Sequence, residues 1–469
     1  MKHHSEEFAL RFTDHKRSVE RKFIGGRDFR IDYRAIMRSL LVPLNPRKVD
    51  LLRIAAGVYF IDRLVQRDRK HGPESWARNI SCSIEVREHT YWTSRPVREM
   101  IENAVRFVSG DRWTLDFHPA AHDDCFVCEW QRSIDPTHLG LNRRVCLYSG
   151  GLDSAAGLAK RIEDAGEAVT IAINVQRRTD LGSKVNKQLR LLAKYTQAEL
   201  HSVIVPFEMN APKSMKLGEE VSQRARAFLF VATGGVVAGA THSSELELFE
   251  SGVGAINVPL LAGMEGSQST RGTHPTFLKL MSQLLSHVMD QQLNVTLPFM
   301  EFTKGEVAKG EVAKSLGLDK FKEIANSTIS CAHYPVRLEK GDSWMSCGLC
   351  PACIFRRVAL HAAGIEESSN VYQHDLLDPA SSKLDKKKLR FLLAYLVQID
   401  SWSQLDQGQL PLLVTRHLRT TNVLQPGESA QPYLNLFLRY RNEWHRRIEQ
   451  ARGNGCGWAS GIDLPGQAA

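Results

Sequence analysis

Ser149, Gly150, Gly151, Leu152, Asp153 and Ser154 form the run SGGLDS, whose residue types and order suit the holding of a phosphate chain. The apolar stretch Val145-Cys146-Leu147-Tyr148 precedes it and a helical-looking segment, residues 155–162, follows it, so the order is strand, glycine turn, helix start. Paired glycines let the backbone approach a ligand and take positive φ at no steric cost. The two serines supply hydroxyl donors, and Asp153 or Ser154 can cap the helix. Unpaired N–H groups at the front of that helix favour an anion. No Gly-Lys-Ser/Thr ending follows, which excludes a Walker-type loop. The alternative is an ordinary capped β-α turn, which would need neither both glycines nor both serines.

Cys331, Cys347, Cys350 and Cys353 are spaced C-x15-C-x2-C-x2-C. Two overlapping CxxC steps with one distant thiol have the layout of a closed tetrahedral Zn²⁺ site. Gly348 gives the knuckle its turn, and Arg356 and Arg357 can offset the charge of four thiolates. Disulfides are one alternative, against which 9 cysteines in 469 residues without an export signal weigh, and a buried, unligated cluster is the other. Cys125 and Cys128, an isolated CxxC, read as ordinary thiols around Phe126-Val127.

The loop pattern resembles the pyrophosphate loop of the N-type ATP pyrophosphatases, which implies cleavage of ATP between its α- and β-phosphates and an adenylated intermediate. With the cysteine group added, the chain is similar to the 7-cyano-7-deazaguanine synthases, the QueC family, over about residues 144–362. The pieces that carry this are SGGLDS at 149–154, RARAFLFVATGGVVAGA at 224–240, PFMEFTKGEVAKGEVAKSLGL at 298–318 and the final SC…C-x2-C-x2-C. The family's Thr-Lys step falls on Thr303-Lys304. Where the synthases carry a Tyr-Pro-Asp-Cys stretch, this chain has ELELFESGVGAINVPL at 245–260, a departure that bears on the second substrate and not on the ATP chemistry. The resemblance implies an α/β fold, an adenine nucleotide alpha-hydrolase-like (HUP, or PP-loop) parallel-sheet core. The flanking pieces at 54–68, 75–86 and 107–119 resemble the N-terminal extension of QueC-like proteins in bacterial antiviral operons, the Qat type. That implies a deazaguanine joined through an amide to the N-terminus of a protein partner from the same operon.

A carboxylate is a poor acyl donor until it attacks the α-phosphate of ATP, forming a mixed anhydride and releasing pyrophosphate. An amine then displaces AMP. Ammonia in that role leads on toward a nitrile, whereas a protein amine stops at the amide. Ser149 to Ser154 would hold the phosphates, and Mg²⁺ would carry their charge with Asp153 as first candidate ligand; a plain helix cap is the alternative for Asp153. Lys304 can offset charge on the carboxylate or α-phosphate, or stand solvated at the surface. Arg226 can clamp an anion in a bidentate way, or pair with Glu250. Ser149, Asp153 and Lys304 are thus the catalytic candidates, and Arg226, Glu250 and Thr303 the substrate-binding ones. A tRNA thiotransferase would need a reactive cysteine near the ATP; Cys146 lies inside a strand and reads as core. The reading from another class is a nucleotide-binding scaffold that has lost catalysis, which the intact SGGLDS opposes.

The elements that must position these residues follow from periodicity. Strands are expected at 144–148, 169–175, 201–206 and 245–250 and helices at 153–165, 184–196 and 219–239, an alternation that predicts a parallel sheet. Residues 174–179 are then expected near the adenine, and 251–305 as an irregular lid or acceptor region, in which His274 either contacts substrate or is a turn residue ahead of Pro275. An α+β extension is expected over 1–140, with residues 1–30 loosely ordered, helical spacing from 33 to about 70 and strands at 80–86 and 113–117. The QueC-like domain spans 141–365 with its zinc segment at 331–353, and a helical extension covers 366–469. The net charge of +9 permits nucleic acid but does not indicate it, because the basic clusters at Lys386–Lys388 with Arg390 and at Arg439, Arg441, Arg446 and Arg447 lack interleaved aromatics. With no apolar run near twenty residues and a charged start, no membrane span is expected and the cytoplasm is.

Overall fold

Strand-favouring Phe, Val, Ile and Thr residues occur in the first strands. In the computed structural model, which describes residues 8–14, 19–25, 28–67, 77–120, 143–165, 168–176, 179–196, 199–209, 220, 222–259, 271–309, 316–332, 336–337, 344–367, 371–405 and 409–460, β1 (Phe8–Asp14) and β2 (Val19–Gly25) pair antiparallel. There follow β3 (Phe29–Ile31), α1 (Arg34–Leu40), α2 (Pro46–Leu64), β4 (Asn79–Val86), α3 (His89–Trp92), α4 (Arg95–Ser109) and β5 (Arg112–Pro119). The expectation that residues 1–30 are loosely ordered is corrected for the described residues 8–14, 19–25 and 28–30: FALRFTD and VERKFIG pair as strands inside a sheet.

The middle of the chain alternates strand and helix. Its elements are β6 (Arg143–Leu147), α5 (Leu152–Ala165), β7 (Val169–Gln176), α6 (Thr179–Thr196), β8 (Leu200–Met209), α7 (Arg226–Ala240), β9 (Glu245–Leu248), α8 (Gly252–Ile256), α9 (Pro275–Met289) and β10 (Asn294–Thr296). Strands β10-β9-β6-β7-β8 are all parallel, and β3 joins β8 antiparallel, so one mostly parallel ten-stranded sheet runs in the order β10-β9-β6-β7-β8-β3-β2-β1-β4-β5. Strand β7 is buried along nearly its whole length, as a central strand covered on both faces must be. Helices α5 and α6 cover one face through Leu158, Ile162, Leu189 and Leu192. On the other face α7 and α9 pack with α2, whose sixteen residues from Val49 to Leu64 are all buried.

Burial on every side explains why α2 carries its charges inside. Its Asp62 takes Arg78 at 2.5 Å and the N–H of Ala225 at 2.9 Å, and Arg78 also reaches Asp111 at 2.5 Å. The helix expected from 219 therefore begins only at Arg226: Asp62 satisfies the backbone just ahead of it, and Gln223 stands at φ 46. The expected irregular lid is also partly overturned. FLKLMSQLLSHVM has helical spacing, Pro275 opens α9 and the His274 ring accepts the N–H of Thr276 at 3.2 Å as its cap. Residues 260–270 of that segment, like Cys125 and Cys128, lie outside the described residues.

The remainder is α10 (Lys304–Lys309), α11 (Leu318–Ser327), β11 (Val336–Arg337), β12 (Trp344–Met345), α12 (Pro351–Ala362), α13 (Lys386–Gln404), α14 (Gln409–Thr420) and α15 (Gln431–Gly453). The last three share an apolar core, with Leu392, Ile399, Val414, Phe437, Tyr440 and Trp444, that closes over Ile256 of α8 and Ile354 and Val358 of α12. Lys386, Lys387, Lys388 and Arg390 are exposed, but the second basic group is no simple solvated face: Arg447 is buried and Arg439 pairs with Glu306. Among the described residues no helix is long and apolar enough to cross a membrane.

Candidate functional site

The turn after β6 is held open by its own hydrogen bonds. Gly150 stands at φ +79, which explains why glycine is needed there. The hydroxyls of Ser149 and Ser154 lie 2.7 Å apart; that of Ser154 accepts the Ser149 N–H at 3.2 Å and that of Ser149 the Gly151 N–H at 3.3 Å. Leu152 is buried beneath as an anchor. From outside, Gln188 of α6 donates to the carbonyls of Gly150 and Ser327, at 3.3 and 2.6 Å, and accepts the Tyr148 hydroxyl at 2.9 Å. The Ile329 N–H donates to the Gly150 carbonyl at 2.9 Å. The first turn of α5, with N–H groups that no helical carbonyl can reach, thus faces out at the carboxyl end of the parallel strands.

Asp153 and Lys304, far apart in sequence, meet at that end: Lys304 Nζ lies 2.5 Å from Asp153 Oδ2. The ammonium also stands over the Phe355 ring, 4.6 Å from its centre, and is buried, which removes the solvated-surface reading of Lys304. Burial pulls its pKa down, but Asp153 and Glu250 outweigh that and leave it raised. Glu250, two residues past the end of β9, is pushed up to about 7 by burial and then by Asp153, against the pull of Lys304 and Ser251. The other oxygen of Asp153, Oδ1, is buried with no hydrogen-bond partner. Two carboxylates and one cation therefore share a water-poor corner beside the loop, and a buried carboxylate oxygen is left to be satisfied.

Thr303 caps α10 in a capping box: its hydroxyl accepts the Glu306 N–H at 3.0 Å and its own N–H donates to Glu306 Oε2 at 2.9 Å. This fixes where Lys304 leaves the backbone. Arg226 is placed differently. It is exposed at the front of α7, where it reaches Gln223 at 3.5 Å and lies over Phe230, rather than pairing with Glu250. Its neighbour Arg224 is the buried one, with its pKa lowered to about 9 by burial and by Arg67 and Arg271. In RARAF the sequence does not say which arginine turns inward; Asp62, at a distance in the chain, decides it. Asn174 holds the Tyr148 carbonyl at 2.7 Å, and the Cys146 thiol is buried in core and pushed far up by burial, so it offers no thiolate.

The sulfur atoms of Cys331, Cys347, Cys350 and Cys353 all lie within 4.8 Å of one another. A tetrahedral Zn²⁺ with bonds of about 2.3 Å needs sulfurs about 3.8 Å apart, so the four fit such an ion. Backbone amides support the knuckle: the N–H groups of Cys347 and Cys350 donate to the sulfurs of Cys331 and Cys347, each at 3.3 Å. The arginines expected to offset thiolate charge are committed elsewhere, Arg356 to Glu367 at 2.9 Å and Arg357 to Asp375 at 2.5 Å. Arg356 also donates to the Thr328 hydroxyl at 2.5 Å and the Ala325 carbonyl at 2.6 Å. The chain from Thr328 to Cys331 thereby links the cysteine group to Gly150.

Comparison with known proteins finds likeness over part of the chain. A family model described as "Queuosine biosynthesis protein QueC" matches residues 271–364, which include Thr303, Lys304 and all four cysteines. The middle of the chain is QueC-like. A 7-cyano-7-deazaguanine synthase of Methanococcus maripaludis strain C7 is 24% identical over 237 residues, 48% of this chain and 96% of that protein. The synthase of strain C5 is 22% identical over 236 residues, again 48% of this chain and 96% of that protein. That of Methanocaldococcus jannaschii is 26% identical over 95 residues, 20% of this chain and 37% of that protein.

Proposed function

We propose that the chain is an ATP-dependent enzyme, forming AMP and pyrophosphate, that adenylates a deazaguanine carboxylate and then joins it to an amine. The observation that carries this is the meeting of the Ser149–Ser154 loop with Asp153, Glu250 and Lys304 at the carboxyl edge of the sheet. The core is proposed to be of the adenine nucleotide alpha-hydrolase-like (HUP) type, with Ser149 to Ser154 as its pyrophosphate loop. We keep the division at 140 and 365 into extension, QueC-like domain and helical extension, and the cytoplasm as its place.

In this reading the loop N–H groups and the two hydroxyls hold the β- and γ-phosphates. Mg²⁺ would be held by Asp153, whose Oδ1 has a free lone pair, and would supply charge neutralisation at the leaving pyrophosphate. Lys304, freed from Asp153 as that carboxylate turns to the phosphates, pairs with the α-phosphate and with the incoming carboxylate. One carboxylate oxygen attacks the α-phosphorus and the bond to the bridging oxygen of pyrophosphate breaks. The amine then attacks the acyl carbon, loses a proton and expels AMP, which keeps the transferred oxygen. Glu250, poised near 7, is the side chain suited to take that proton. Zn²⁺ would be structural, since four thiolates leave no open position.

The extensions on both sides of the QueC-like part favour the Qat-type reading, with a partner protein's N-terminus as the amine. The second reading is a 7-cyano-7-deazaguanine synthase using ammonia, which the relatives' names favour. A catalytically silent scaffold is the third. Incubation with ATP and 7-carboxy-7-deazaguanine decides: AMP with a mass increase on a co-encoded protein supports the first, nitrile with ammonium the second, and no AMP from any carboxylate leaves the scaffold.

A further inference from the structure

We infer that Glu443, on helix α15 of the C-terminal extension, is a positioning residue that sets Lys304 through Thr303; the inference rests on the adenylation reading. Glu443 is 3% exposed, and its Oε1 receives the Thr303 hydroxyl at 2.5 Å. Because that hydroxyl also accepts the Glu306 N–H at 3.0 Å, both sides of Thr303 are engaged and its rotamer is fixed. One helical turn earlier, Arg439 pairs with Glu306 Oε1 at 2.6 Å and donates to the Glu301 carbonyl at 2.6 Å. Residues four apart share a face, so α15 grips residues 301–306 with two side chains from one stripe. The approach is close: a Cβ at Gly305 would lie 2.4 Å from Glu443 Oε1.

A helix of six residues has little stability of its own, so the direction in which Lys304 leaves its first turn depends on what holds the turn. Lys304 sits directly between Thr303 and Gly305, and its ammonium is the group that reaches Asp153. Glu443 is an expensive way to pack a helix. Its second oxygen, Oε2, is buried with no hydrogen-bond partner, where a leucine would avoid the cost. The C-terminal extension, absent from a bare synthase core, therefore supplies one wall of the site and the acceptor that orients its cation.

The test uses the full chain. Wild type, Glu443→Ala, Glu443→Gln and Thr303→Val are treated with a limiting amine-acylating reagent, and modification of Lys304 is followed by peptide mass spectrometry; AMP release is measured beside it. Glu443→Ala is expected to raise the Lys304 modification rate at least fivefold and to lower kcat for AMP release about tenfold with little change in KM for ATP. Glu443→Gln, which keeps an acceptor oxygen, is expected to restore both to within about threefold of wild type. Should Glu443→Ala fold poorly, Thr303→Val breaks the same bond from the other end and is expected to reproduce its effect. Unchanged Lys304 modification in Glu443→Ala and Thr303→Val overturns the inference, as does loss in Glu443→Gln as deep as in Glu443→Ala. If wild type releases no AMP, the adenylation reading falls, and the Lys304 modification rates alone still uphold or overturn the positioning role.

Discussion

At the scale of single residues, Asp153, Glu250 and Lys304 bring charge into a water-poor corner. Asp153→Asn should lower AMP release by about 10²–10³-fold while leaving the far-ultraviolet circular dichroism unchanged, because it removes one preorganised charge and no packing volume. Lys304→Met should cost as much activity and in addition lower the thermal midpoint, since it leaves buried Asp153 and half-buried Glu250 without their cation. A Met variant as stable as wild type would show that the ion pair is not what the fold is built around. The loop was legible in the sequence because every group that makes it, from Ser149 to Ser154, is consecutive, and so were Thr303 and Lys304 through their family resemblance. Glu443 was not legible. A lone glutamate in NEWHRR carries no pattern, and its meaning comes from a contact made across 140 positions of chain.

At the scale of elements, two supports reach the loop from outside the sheet. The cysteine group reaches it through Thr328, Ile329 and Ser330, with Arg356 as strut. Chelation, or Cys350→Ser, should therefore lower the thermal midpoint by more than about 5 °C and also weaken nucleotide binding; scanning calorimetry with a titration of ATP analogue checks both. Loss of midpoint with unchanged nucleotide affinity would separate the metal from the loop. Helix α15 makes the second support, and it carries a pH signature. Burial pushes Glu443 up to about 7, with Glu306 adding and Thr303, Arg446 and Arg439 opposing. Its folded pKa thus lies above the unfolded value, so the stability linked to its protonated form is full below about pH 4.5 and is lost as pH rises through 7. Glu443→Gln should accordingly gain thermal midpoint on wild type at pH 8 and show little difference at pH 5. An equal shift at both values would remove the buried charge from the account. From β6 to β9 the order of strands and long helices follows from period alone, whereas α9 stands behind a glycine-rich stretch that reads as irregular chain, although Pro275 and the spacing of Phe277, Leu278, Met281, Leu284 and Leu285 are helical.

At the scale of the whole molecule, the extensions are built into the core. Strand β3 hydrogen-bonds to β8, and α2 packs on α7 and fixes its start through Asp62. No residue pattern predicts that two sheets will join edge to edge; the pairing of Phe29 with Met209 depends on both being present. Ending the chain at 365 should expose Ile256, Ile354 and Val358, which now lie under α13 to α15, and should yield an aggregating protein rather than a smaller active one. A soluble, active product of that length, seen by size-exclusion chromatography and AMP release, would contradict the shared core. The most direct test of the central claim, that a carboxylate attacks the α-phosphate held beside Ser149 to Ser154, is oxygen transfer. With a deazaguanine carboxylate labelled in both oxygens with ¹⁸O, the account predicts AMP carrying one ¹⁸O atom and unlabelled pyrophosphate. AMP without label, or ADP with labelled phosphate, would contradict it.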